Sequence, residues 1–277
     1  KRGMVESLAA KTQEDAYPDP IEHCEICRWQ ASCDKRRRDD DHPCLVAGIS
    51  KIQIGELKQH GVTTTEALAG LPLPLPWKPG RGSADSYMRI REQARIQVEA
   101  RKTGERKFEL LPVEPGFGLT RLPEPSPGDV FLDLEGDPFV GDGGLEYLFG
   151  YLFADKKGQP EYTGAWALSR ADEKKAYEGF VDFIMARWEQ FLGLHIYHYA
   201  PYEPAALKRL MGRYATREEE IDRMLRAGLF VDLFQVVRRG VRASVESYSI
   251  KLMEPFYRFE RDTSLAHANI ALANLQA

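Results

Sequence analysis

Residues 130–138 read VFLDLEGDP, with Asp133 and Glu135 at alternate positions among apolar residues. The run is bounded by the turn-forming stretch DPFVGDGG, so a strand is predicted over Val130–Glu135. Alternate residues of a strand project to one face, which sends Asp133 and Glu135 the same way, with Phe131, Leu132 and Leu134 expected as buried flanks. Two carboxylates crowded on a core strand repel each other unless a proton or a cation intervenes. Oxygen donors at that spacing suit Mg²⁺ or Mn²⁺. The competing interpretation is an exposed edge strand with solvated acids.

Outward from this run the pattern is regular. Residues 145–153 (LEYLFGYLF) and 162–168 are further strand candidates, and apolar residues at helical spacing predict an amphipathic helix over 172–191. A fourth strand is expected over 194–199 (LHIYHY), then helices from Glu203 and from Thr216, where TREE has the form of a capping box. A short fifth strand over 228–231 runs into a helix near Asp232. Three strands, a helix, a strand, helices, a strand and a helix predict an α/β fold, a mixed sheet flanked by helices.

Upstream, proline and glycine divide the chain. LPLPLPWKPG (71–80) forbids helix, residues 83–102 predict one with Ser83 as N-cap and Gly104 as stop, and the proline- and glycine-rich stretch 112–129 marks a boundary. The 277 residues are 43% apolar and 29% charged, which excludes wholesale disorder and fibrous rods. No run approaches the roughly 20 apolar residues of a membrane helix, and no signal-peptide core opens the chain, so a cytoplasmic protein without a membrane partner is expected. The first Met is at position 4, consistent with a piece of something longer. Residues 1–107 carry a balance of +3 and the remainder −7, a front half suited to a polyanion and a back half suited to cations. No GxxxxGK[ST] phosphate loop occurs, which argues against an ATPase in these residues.

All four cysteines lie within Cys24–Cys44, in a region expected to be small and helical. Cys24, Cys27 and Cys33 form C-x2-C-x5-C, soft ligands suited either to an iron–sulfur cluster or to zinc completed by Cys44, His42 or His23. Cys44 otherwise reads as a small core residue. Lys35–Arg38 meets Asp39–Asp41 at once and is expected to be a solvated face. Arg89, Arg91, Arg95, Arg238, Arg239 and Arg242 are the better candidates for phosphate contact. Trp29, Trp77, Tyr197, Tyr199 and Tyr202 read chiefly as core, with base stacking as the alternative. His198 or Tyr199 could orient a water or phosphate, against a satisfied strand-end histidine.

The strand order and the Asp-x-Glu of its first strand resemble the RNase H-like fold, specifically the DEDD exonucleases. In that group an acid follows the fourth strand, and HYAPYE (198–203) supplies Glu203 where Asp is usual. Asp232 matches an acid common at the end of the fifth strand, where it often caps the helix. Longer runs, among them GLEYLFGY, HIYHYAPYEPAALKRLMGRYATREEEID and LFVDLFQVVRRGVRASVESYSIKLMEPFY, resemble RecB-like nucleases with a YprB-type domain, usually fused to a superfamily-1 helicase. The resemblance implies a metal-dependent 3′–5′ exonuclease-type domain acting on nucleic acid, DNA in the first instance. It implies Asp133, Glu135 and Glu203 as metal ligands, Asp232 as a further candidate, a last acid beyond Ala277, and a helicase in the same full-length chain. It also favours a 4Fe–4S cluster over Zn²⁺ at Cys24, Cys27 and Cys33. The expected division is then 1–44 as the closing end of a RecB-like nuclease, 45–76 as a helix-hairpin-helix-like element, 77–107 as linker and helix, and 108–277 as the RNase H-like domain. In the second of these Gly48 is kept and Ser50 replaces the hairpin's second glycine.

Overall fold

Polar capping residues punctuate the first third of the chain, and in the computed structural model, which describes residues 17–260, they set its helices. α1 (Gln30–Asp39), α2 (Lys51–Gln59), α3 (Thr65–Ala69) and α4 (Ala84–Thr103) precede the short strand β1 (Phe108–Leu110). Ser50 caps α2 by accepting from Gln53 N, while the Gln53 side chain accepts from Ser50 N. The serine that departs from the hairpin pattern is therefore the helix start. Ser83 caps α4 and Gly104, at φ 72°, ends it, as expected. Val46, Leu57, Val62, Leu68, Tyr87, Ile90 and Ala94 form the core of this region, with Trp77 packed against it.

The second region follows the expected order. β2 (Val130–Asp137), β3 (Leu145–Ala154), β4 (Pro160–Trp166), α5 (Arg170–Gln190), β5 (Ile196–His198), α6 (Tyr202–Tyr214), α7 (Glu218–Arg226), β6 (Phe230–Asp232) and α8 (Leu233–Gly240) succeed one another. The strands make a five-stranded mixed sheet of order β4-β3-β2-β5-β6. β2 pairs antiparallel with β3 and parallel with β5, which puts it at the centre. Val130, Leu132 and Leu134 point into a core with Tyr177, Phe180 and Ile184 of α5 and Leu207 and Leu210 of α6.

The chain then forms β7 (Val241–Ala243), paired with β1 in a two-stranded sheet, and α9 (Ile250–Met253). By contacts, residues 242 onward group with residues up to 109, and 110–241 form the other unit. In the first unit Gln93 donates to Ala243 O at 2.9 Å, and Tyr248 Oη donates to Gln93 Oε1 at 2.9 Å, tying the returning segment to α4.

Three local expectations are corrected. Phe131 is 50% exposed rather than buried, because strand alternation puts it with Asp133 and Glu135 on the face away from the core, stacked on Tyr197 at 5.1 Å. TREE is not a capping box: Arg217, at φ 56°, is the N-cap of α7 and makes no side-chain cap, while the Thr216 hydroxyl donates to Glu178. Lys35–Arg38 is not uniformly solvated, since Arg37 is 5% exposed and donates to Pro18 O at 3.1 Å.

Candidate functional site

The site begins with a glycine inside a strand. Between Glu135 and Gly136 the β2–β3 register shifts, and Gly136 sits across from Glu146. A Cβ at Gly136 would lie 2.3 Å from Glu146 Oε2 and 2.5 Å from Tyr202 Oη, so a methyl there must displace the ends of those two side chains. Glu146 is 4% exposed, accepts from Tyr202 Oη at 2.8 Å and pairs with Arg209 of α6. Burial, then the Glu146 carboxylate, pushes the Tyr202 phenol well above its ordinary range.

A pocket of about 680 Å³ opens beside this pair, lined among others by Asp133, Glu135, Asp137, Glu146, Glu203 and Arg209. Two of the acids come from the exposed side of β2 and one, Glu203, from the first turn of α6, where the helix N-terminus favours negative charge. Asp133, Glu135 and Glu203 thus line one pocket, and Arg209 is the one cation among the described residues of its lining. The field is acidic: burial and then Glu135, Asp137 and Asp133 push the Tyr147 phenol up.

Glu203 is 4% exposed, and its Oε2 is buried without a hydrogen-bond partner among the described residues. His198 Nδ1 stands 3.5 Å away and donates to Ala200 O at 2.6 Å, so that imidazole is the satisfied strand-end histidine. Ala200 has φ 73°, an unfavourable conformation for a residue with a Cβ. Asp232 Oδ1 holds it by accepting from Ala200 N at 3.0 Å, and also from Phe234 N at 2.9 Å as the α8 cap. Asp232 is outside the pocket lining, and the turn it braces delivers Glu203.

Below the pocket, Glu173 of α5 is fully buried and accepts from Glu146 N at 2.6 Å and from Arg213 at 2.9 Å. Arg170 and Arg213 also donate to the carbonyls of Asp142, Gly143 and Gly144, fixing the β2–β3 turn. Burial alone would push the Glu173 carboxyl up. The Tyr214 hydroxyl, the Glu146 N–H and Arg213 outweigh it and hold the carboxyl below the usual range.

The donors around the pocket are all oxygen, the kind Mg²⁺ or Mn²⁺ accepts, and the orphan Glu203 Oε2 is a lone pair such an ion would satisfy. Their side-chain positions do not enclose an ion as they stand, since no group of three His, Cys, Asp or Glu among the described residues is close enough to hold one. The same holds at the cysteines. Cys24, Cys27, Cys33 and Cys44 are free and half-buried, and Cys24 Sγ accepts from Ile21 N at 3.4 Å. Burial raises the Cys44 thiol to about 11.

The six arginines differ in their surroundings. Arg95 donates to Glu92, Glu99 and Glu109, and Arg242 to Glu109, so both charges are compensated. Arg91 donates to Leu71 O and pairs with Glu92. Arg89, Arg238 and Arg239 are exposed, with the Arg238 guanidinium 5.8 Å from the Phe234 ring centroid. Nothing local in the sequence marks Glu146, Arg209 or Glu173 as part of the site beyond a glycine interrupting a strand.

Among the described residues no helix is long and apolar enough to cross a membrane. Residues 130–273 match the family model of the RNase H superfamily (RNase_H_2), from the first residue of β2 to beyond the described residues. No curated protein and no solved structure matches the chain.

Proposed function

The chain belongs to the RNase H superfamily, a match covering just over half its length, and we propose that its sheet domain is a metal-dependent 3′–5′ exonuclease-type phosphodiester hydrolase. One observation carries this reading: Asp133 and Glu135 from β2 and Glu203 from α6 line a single pocket. They are the ligands assigned to Mg²⁺ or Mn²⁺. Asp133 and Glu135 lie on the exposed face of β2, where a change of side-chain rotamer would bring both carboxylates toward an ion on a fixed backbone. Two such ions, when bound, supply an activated water and charge stabilisation at the leaving oxygen. The chain's own residues then orient and neutralise. Arg209, aimed by Glu146, meets a phosphate oxygen in a pocket whose other charged lining residues, among those described, are carboxylates. Asp232 acts at a distance, as a positioning residue that holds the Ala200 turn and with it Glu203.

The wider assignment is a cytoplasmic DNA-processing protein of the RecB-like, YprB-type group with a helicase in the same full-length chain, supported by the long sequence runs quoted above. A 4Fe–4S cluster or Zn²⁺ at Cys24, Cys27 and Cys33 belongs to the same reading, supported by the C-x2-C-x5-C spacing. Iron and zinc analysis of anaerobically purified protein tests it, and neither metal above background removes it.

A second reading, a non-catalytic nucleic-acid-binding module, is favoured by the glutamate at 203 and by side chains that do not already form a metal cluster. Labelled single-stranded DNA and RNA incubated with Mn²⁺ or EDTA separate the two. Cleavage is expected with Mn²⁺, absent with EDTA, and reduced at least about 10²-fold by Asp133→Asn. Cleavage indifferent to that substitution removes the site assignment, and no cleavage under any condition supports the binding module.

A further inference from the structure

A second polar cavity lies in the first unit, across the expected helix-hairpin-helix-like element and the start of the linker that follows it. It has a volume of about 570 Å³, within the roughly 300–1,000 Å³ of small ligand sites, and is lined by Lys51, Ile52, Gly55, Glu56, Gln59, His60, Lys78, Gly80 and Arg81. α2 forms one wall and the proline-rich connector the other. The joint is Glu56, whose Oε1 accepts from Gly80 N at 2.8 Å and whose Oε2 accepts from Tyr87 Oη at 2.9 Å and Arg81 N at 3.3 Å. That carboxylate is occupied by three neutral donors, which fix the connector backbone and hold Lys78 and Arg81 on the same cavity as Lys51. None of those three cations makes an ion pair among the described residues, in contrast to Arg95 and Arg242. The wall therefore carries three uncompensated positive charges against one carboxylate.

The cavity also has surface for a flat, partly apolar group. His60 is exposed and its ring stacks on Trp77, centroids 4.1 Å apart and planes 14° apart, so the indole backs one face of the imidazole. Ile52 is 53% exposed on the same wall. Gly55 sits mid-helix, where glycine is unfavourable, and nothing lies within 4 Å of the Cβ it lacks. The floor there is open.

Grouped cations beside a braced ring are what a single nucleic-acid strand requires, phosphate on the cations and base against the ring. We propose that this cavity is a binding site for single-stranded nucleic acid, with Lys51, Lys78 and Arg81 on the phosphates and His60, backed by Trp77, against a base. The class of ligand rests on the nuclease-type reading, and the test is arranged so that the two fail separately.

Binding of a fluorescent oligodeoxythymidylate is followed by anisotropy in EDTA over a range of salt, where hydrolysis plays no part. The triple substitution Lys51→Ala, Lys78→Ala, Arg81→Ala is expected to weaken binding at least about tenfold and to flatten the dependence of log K on log salt by about 2. Gly55→Leu keeps every charge and favours the helix, so it is expected to keep the melting temperature while weakening binding by blocking the cavity. Lys156→Ala with Lys157→Ala, exposed in the turn after β3, controls for general charge loss and is expected to bind as wild type. Wild-type affinity in the triple variant or in Gly55→Leu overturns the site. A duplex bound as tightly as the single strand and equally sensitive to the triple substitution overturns the assigned ligand class.

Discussion

Gly136 illustrates how one missing methyl group organises the pocket. Because a Cβ there would meet Glu146 and Tyr202, Gly136→Ala is expected to destabilise the fold by about 1–3 kcal/mol, measured by urea unfolding. In a Glu146→Ala background the added cost should shrink, and strict additivity would show that the glycine does not answer to that carboxylate. Glu173 supplies the pH-dependent case. Its folded-state pKa is depressed, so its stabilisation is present above the ordinary carboxylate range and is lost as pH falls through and below it. Glu173→Ala is expected to cost about 3–5 kcal/mol at neutral pH, because Arg213 and Arg170 lose a buried partner, and to flatten the acid limb of a stability-against-pH curve. An unchanged acid limb counts against this account. The paired acids of β2 were legible from alternation alone. Glu146, Arg209 and Glu173 were not, because they meet the site through the β2–β3 register and two helices distant in sequence.

At the scale of elements, the strongest periodicities carried through and the caps divided. The five strands and the helices between them follow the hydrophobic pattern because each buries one face in the shared core. TREE failed because the hydroxyl of Thr216 found Glu178 instead of the helix backbone, a tertiary partner that spacing cannot reveal. Asp232 shows the converse, a residue whose local role as a cap and whose longer-range grip on Ala200 coincide in one oxygen atom. Asp232→Ala is expected to lower stability by about 1–2 kcal/mol through the lost cap. It should also reduce Mn²⁺-dependent cleavage by loosening the turn before Glu203. Full activity with reduced stability would confine it to the cap.

Over the molecule as a whole, charge and connectivity separate the two units. The acidic balance beyond residue 107 accompanies a pocket of carboxylates, while the mildly basic stretch before it holds the three uncompensated cations of the second cavity. The residues 110–241 that group together hold the whole five-stranded sheet. The return of 242–260 to the first unit follows from Tyr248 finding Gln93, a pairing between residues 155 positions apart that no local pattern announces.

The pairing of β1 with β7 has a practical corollary. Leu111 N donates to Gly240 O at 2.9 Å and Ser244 N to Lys107 O at 2.9 Å, so the sheet domain enters and leaves by adjacent doors. In effect it is a very long loop hung from a two-rung ladder. Closure entropy grows only with the logarithm of loop length, so swapping such a loop for a short tether changes little at the hinge. Replacing residues 112–239 with a few glycines and serines should therefore leave a remainder that melts cooperatively and keeps its helical circular dichroism. A remainder without a cooperative melt would mean that the guest domain props up its host.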